Sequence, residues 1–106
     1  MDPRVVNDRF LMAAHRLAVK RLRVDESARR KASEQLARWR RPSGATRSDA
    51  YGDRWQSMLD ERDATRLEAA VCAATDDAQV LRSVSPVSVL ITQGERMQLL
   101  REARRS

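Results

Sequence analysis

The side chains able to do acid–base, nucleophilic or metal chemistry are few in this sequence, and their spacing argues against each use. His15 is the single histidine, set between Ala14 and Arg16 with no Cys or acidic residue at ligand spacing, so it cannot complete a zinc site within one chain. Cys72 is the single cysteine; it has no partner for an internal disulfide, would need His15 as its base, and reads as a small core residue between Val71 and Ala73. Carboxylates gather at Asp60, Glu61 and Asp63 and at Asp76 and Asp77. Each group falls at an expected helix junction, where acidic side chains cap backbone amides. Gly44, Gly52 and Gly94 are too dispersed for a phosphate loop, and no serine sits in a Gly-x-Ser-x-Gly setting. The expectation is a non-enzymatic protein with no cofactor and no metal.

Arginine is the chemistry that remains. The formal charge is +6, and 19 of the 21 basic residues are Arg. Residues 1–53 carry 13 basic and 7 acidic side chains against 8 and 8 in residues 54–106. Between Arg16 and Arg47 the sequence holds 11 basic residues against Asp25, Glu26 and Glu34, a density suited to phosphates or to an acidic protein. An Arg-rich composition is also what a GC-rich bacterial genome produces without selection for binding. The candidate contact residues are Arg16, Lys20 and Arg23 on a first helix, and Arg29, Arg30, Lys31, Arg38, Trp39, Arg40 and Arg41 on a second. Trp39, flanked by Arg38 and Arg40, is placed either to stack on a base or partner or to close a core.

The elements carrying these residues read as helices. Aromatics make up only 4% of the chain, and the apolar content is mostly Ala, Leu and Val among Arg and Glu, which favours helix over sheet. Asp2 and Pro3 make a helix start, after which Val6, Phe10, Leu17, Leu22 and Val24 help line an apolar face about half the circumference wide, interrupted by Arg21. A face so wide expects several neighbours or a second copy of the chain. Asp25 caps a second helix running to Arg41 on a narrow stripe of Ala28, Ala32, Leu36 and Trp39, packed on the first.

Pro42 ends it, and residues 42–48 read as a loop. Ser48 or Asp49 opens a third helix burying Tyr51, Trp55, Met58 and Leu59, and Asp63 a fourth burying Leu67, Ala70, Val71 and Ala74. At Thr75-Asp76-Asp77 a fifth helix starts or the fourth continues. Ser85-Pro86 breaks the pattern; residues 87–91, the one β-branched run, read as strand or loop. Thr92 to Glu95 matches a capping box for a last helix burying Met97, Leu100 and Leu99. A strand at 87–91 leading into a helix that begins near Gln93 resembles the first half of a ribbon-helix-helix dimer, although the second helix of that fold has no counterpart before Ser106.

The expected architecture is therefore all-α, a small bundle of five to six helices in one domain of residues 1–106, built as a helical hairpin 3–41, a loop 42–48 and a helical half 49–106. No apolar run approaches the roughly 18 residues that cross a bilayer, so a cytoplasmic protein with no membrane partner is expected. Nucleic-acid binding, to DNA or RNA, as a regulator or antitoxin-like partner, is the leading functional reading. The alternative is a protein inhibitor or adaptor, of the phage-inhibitor or immunity-protein kind, that docks its basic face on an acidic partner. A structural, self-associating homodimer is the third.

Overall fold

The Asp2 carboxylate accepts from the Arg4 amide at 2.9 Å and Pro3 occupies the first helical position, so α1 (Pro3–Val24) starts where its sequence marks it. It ends at Asp25, which has two jobs: its backbone N–H bonds the Arg21 carbonyl at 3.0 Å, while its carboxylate takes the Ser27 amide at 2.9 Å and opens α2 (Glu26–Arg40). In the computed structural model residues 2–40 and 49–105 are described, the side chains of Arg40 and Asp49 excepted. The expected end of α2 at Arg41, the loop 42–48 and the Ser48 cap lie outside the described residues.

The breadth of the α1 apolar face is answered within the chain. It packs against α2, α4, α5, α6 and a 3-10 turn, with Ala14, Ala18 and Val19 buried at its centre. Small residues there let five elements approach one helix. Val24, grouped with this face in the sequence, is 85% exposed because it stands past the last neighbour. Along α2 the buried stripe is Ala28, Ala32 and Leu36, and it meets the 3-10 turn and α3 (Asp49–Glu61) more than α1.

Trp55 of α3 is fully buried and donates its Nε1–H to the Leu81 carbonyl at 2.9 Å, so the largest core side chain is also hydrogen-bonded. Arg62, with φ 59°, follows α3 in the left-handed conformation that more often falls to glycine. Asp63 then caps α4 (Ala64–Val71), and Thr75 caps α5 (Asp76–Ser83) through the Ala78 amide at 3.1 Å. The two helices are thus separate, and Ala74 is exposed between them rather than buried on an α4 stripe.

Residues 87–91 form neither strand nor loop. Pro86–Leu90 is a 3-10 turn capped by Ser85, which buries Val87, Leu90 and Ile91. A β-branched run needs a partner strand to become sheet, and none exists among the described residues. The ribbon-helix-helix likeness falls with that strand.

The capping box holds as read: Glu95 N–H to Thr92 Oγ1 at 3.1 Å, Thr92 N–H to Glu95 Oε1 at 2.9 Å. It begins α6 (Gln93–Arg105), whose rotation differs from expectation. Leu99 packs against the core and Ala103 is buried, whereas Met97 is 45% exposed. The cause is Arg21, whose guanidinium grips the Glu95 carboxylate with both Nη atoms and also donates to the Leu90 carbonyl. With Glu95 turned to α1, residues 99 and 103 follow it inward at four-residue spacing. Arg21 and the Thr92 amide together hold Glu95 well below the usual carboxylate range, at about 2.

The described residues thus form six α-helices and one 3-10 turn, an all-α bundle. No described helix is long and apolar enough to cross a membrane.

Candidate functional site

At 100° per residue, Arg16, Lys20 and Arg23 occupy a sector of about 60° on α1, opposite its buried face. All three are exposed. Arg23 is engaged, its Nη2 pairing with Glu68 at 2.7 Å and its Nη1 donating to Thr65 Oγ1 at 3.3 Å, which ties α1 to α4. Arg16 and Lys20 form no ion pair among the described residues.

On α2, Arg30, Lys31 and Arg38 share an exposed sector of about 100° turned away from Ala28 and Ala32, with Glu34 in its midst. None of the three cations has an ion pair among the described residues. Arg29 lies off this face, half-buried; it pairs with Glu26, and its Nε is enclosed without a partner. Each is a face of a single helix, and no hydrogen bond or ion pair among the described residues joins Arg16 or Lys20 to the α2 set. The Arg40 side chain and Arg41 lie outside the described residues.

Trp39 belongs to the inner side of α2, seven residues from Ala32, yet is 44% exposed at the helix end. It borders a cavity of about 180 Å³ that the sequence did not disclose. Phe10, Leu11 and Ala14 form one wall, and Val87 and Ile91 another. His15 is part of the lining, 2% exposed, with its ring centroid 6.2 Å from that of Trp55. Its Nδ1 lies 2.6 Å from the Leu11 carbonyl and donates to it, which leaves Nε2 as the acceptor; Nε2 has no partner. Burial lowers the pKa of the ring, partly opposed by the Leu11 bond, and the charge of Arg82 lowers it further.

Arg82 is the buried cation beside it, 4% exposed. Its Nη1 donates to the Val71 carbonyl at 2.6 Å and the Ala73 carbonyl at 2.9 Å, so it closes the end of α4. Its other nitrogens make no hydrogen bond among the described residues. Arg96 of α6 reaches the same cavity with its guanidinium 6.0 Å from the Phe10 ring centre. The sequence carried a signal for Arg82: it stands four residues after Ala78, on the inward stripe of α5.

Among the described residues no three His, Cys, Asp or Glu side chains gather as a metal site would require. Cys72 is half-buried at the end of α4, and burial raises its thiol pKa, which opposes thiolate chemistry. No protein-family model matches the chain, and no curated protein and no solved structure matches it either.

Proposed function

We propose that this chain is a non-enzymatic binding protein that lays the outer face of α2 on the phosphates of a nucleic acid. The observation that carries the reading is the exposed set Arg30, Lys31 and Arg38, on one face and without ion pairs among the described residues. Arg30 and Arg38 stand about 12 Å apart along the axis, a span covering several backbone charges of a duplex. Arg16 and Lys20 on α1 add a second, smaller contact. Guanidinium groups suit phosphate because they donate in pairs and stay charged.

The reading as an inhibitor or adaptor for an acidic protein rests on the same charge and on the wide apolar face of α1. That face is covered by the chain's own elements, which removes the second support.

Fluorescence anisotropy with a labelled duplex and a labelled single strand, each titrated at several salt concentrations, tests the proposal. Affinity should fall steeply with salt. Replacing Arg30, Lys31 and Arg38 together by Ala should reduce the log–log slope by about 0.9 for each phosphate no longer neutralised. Salt-insensitive binding, or a slope the triple variant leaves unchanged, would overturn it.

A further inference from the structure

The two tryptophans of the chain meet opposite fates. Trp55 is fully buried, whereas Trp39 is 44% exposed at the end of α2 and lines the cavity of about 180 Å³. Phe10, itself partly exposed, lines the same cavity from α1, and Leu11, Val87 and Ile91 complete an apolar wall. Aromatic side chains that water reaches, set beside an apolar hollow, are what a planar ring stacks on. The volume exceeds the roughly 150 Å³ that holds a benzene molecule in an engineered core, so a six-membered ring such as that of a pyrimidine fits.

Charge and position narrow the occupant further. No carboxylate is among the lining residues described, while Arg96, partly exposed, is, so a ring that arrives with an anionic group attached suits the cavity better than a neutral one. Trp39 follows the exposed Arg38 in the chain and stands about 100° round α2 from it, so a strand with its phosphates on the outer face of α2 passes beside the cavity at this helix end. In a duplex the bases are paired and stacked on one another, and only an unpaired base can turn onto Trp39. From the exposure of Trp39, the size of the cavity and its place at the end of a cationic face, we propose that this cavity takes one unpaired pyrimidine base of a single-stranded nucleic acid, stacked on Trp39. The proposal rests on the reading of α2 as a phosphate-binding face and adds to it the kind of strand bound. The outer face then supplies affinity through backbone charge, and Trp39 supplies a contact that only a base can make.

Because Trp55 is enclosed and Trp39 is the other tryptophan, quenching of the intrinsic emission on binding reports Trp39. The probes, titrated into the full chain at several salt concentrations, are oligothymidylate of about ten nucleotides, an abasic oligomer of the same length and charge, and a blunt duplex of that length. Oligothymidylate should quench the emission and bind at least about fivefold more tightly than the abasic oligomer, the least that one stacked base contributes. The duplex should leave the emission unchanged. Trp39→Leu should abolish the quenching and bring the two single strands to equal affinity with the salt slope unaltered, since stacking releases no counterions. Trp39→Phe, which keeps a ring, should retain part of the preference, and the remaining Trp55 emission shows in both variants that the core is intact. Equal affinity for the two oligomers in the native chain, an emission unmoved at saturation, a preference that survives Trp39→Leu, or no binding of oligothymidylate would each overturn the proposal. The reading of α2 is judged separately, by the salt slope of the abasic oligomer and its response to the triple alanine variant.

Discussion

Arg38 on the outer face of α2 and Arg82 in the wall of the cavity carry the same guanidinium under different physics. The first is exposed to water and has no ion pair among the described residues. The second is 4% exposed and holds two carbonyl oxygens at the end of α4 while belonging to α5, so the junction of two helices depends on it. Net charge counts the two equally. A basic composition therefore says how many cations a chain has, and burial says which of them are free to meet a partner.

The contrast breaks most visibly at Arg82. Arg82→Leu deletes two charge-assisted hydrogen bonds and strands the Val71 and Ala73 carbonyls, at an expected cost of roughly 2–4 kcal/mol in urea unfolding. A loss below about 0.5 kcal/mol, the range of ordinary surface changes, would place Arg82 with Arg38 and erase the distinction. On the other side of the comparison, the Arg30, Lys31 and Arg38 triple alanine variant should keep its melting temperature, since Ala is a better helix former than either residue and no ion pair among the described residues is broken. A clear drop in melting temperature would mean that the outer face is structural.

Legibility in the sequence divides along the same line. Asp2-Pro3, Asp25, Asp63 and the Thr92–Glu95 box could be read because a cap is chemistry between residues two or three apart, whereas at Thr75 the sequence left the break between α4 and α5 open. The rotation of α6 could not, because Arg21 and Glu95 settle it across 74 positions. The β-branched run 87–91 misled for a related reason: strand propensity is realised only beside a partner strand, and here the run was left to Pro86 and Ser85, which favour a turn. Nothing local marked Arg62 as the left-handed residue after α3, since glycine is the usual sign.

The candidate site shows the same division. Helical spacing spread Arg29, Arg30, Lys31, Arg38, Arg40 and Arg41 around α2 with no single ridge; the half-burial of Arg29 is what leaves Arg30, Lys31 and Arg38 as one exposed set, and the partner that occupies Arg23 is 45 residues away. The cavity was beyond reach because α1, α2, α5, α6 and the 3-10 turn each contribute a fragment of it.

Acid should separate the buried wall from the surface in two steps. Burial lowers the His15 pKa from its ordinary 6.5, so below about that pH the unfolded chain binds a proton that the folded chain refuses. Stability should then be flat above about pH 7, fall as the pH drops through the mid-6 range, and level off below the folded pKa. Glu95 acts lower down: its carboxylate titrates near 2 in the fold against 4.5 unfolded, so its contribution is present above 4.5 and fades as pH falls toward 2. Unfolding midpoints measured across this range should show the upper step vanish in His15→Phe while the lower one persists. An upper step that survives the substitution would assign the titration elsewhere.

The smallest effect expected is at Arg23, which tests whether a paired surface cation belongs with Arg82 or with Arg38. Its bond to Glu68 crosses from α1 to α4, yet both side chains are close to half exposed, 40% and 45%. At that exposure water screens the pair, and holding two long side chains in one geometry costs entropy. Arg23→Ala should therefore lower stability by only about 0.2–1 kcal/mol, and a double-mutant cycle with Glu68→Ala should return a coupling in the same range. A coupling above about 2 kcal/mol would show that bridging two helices, rather than burial, decides which arginines the fold depends on.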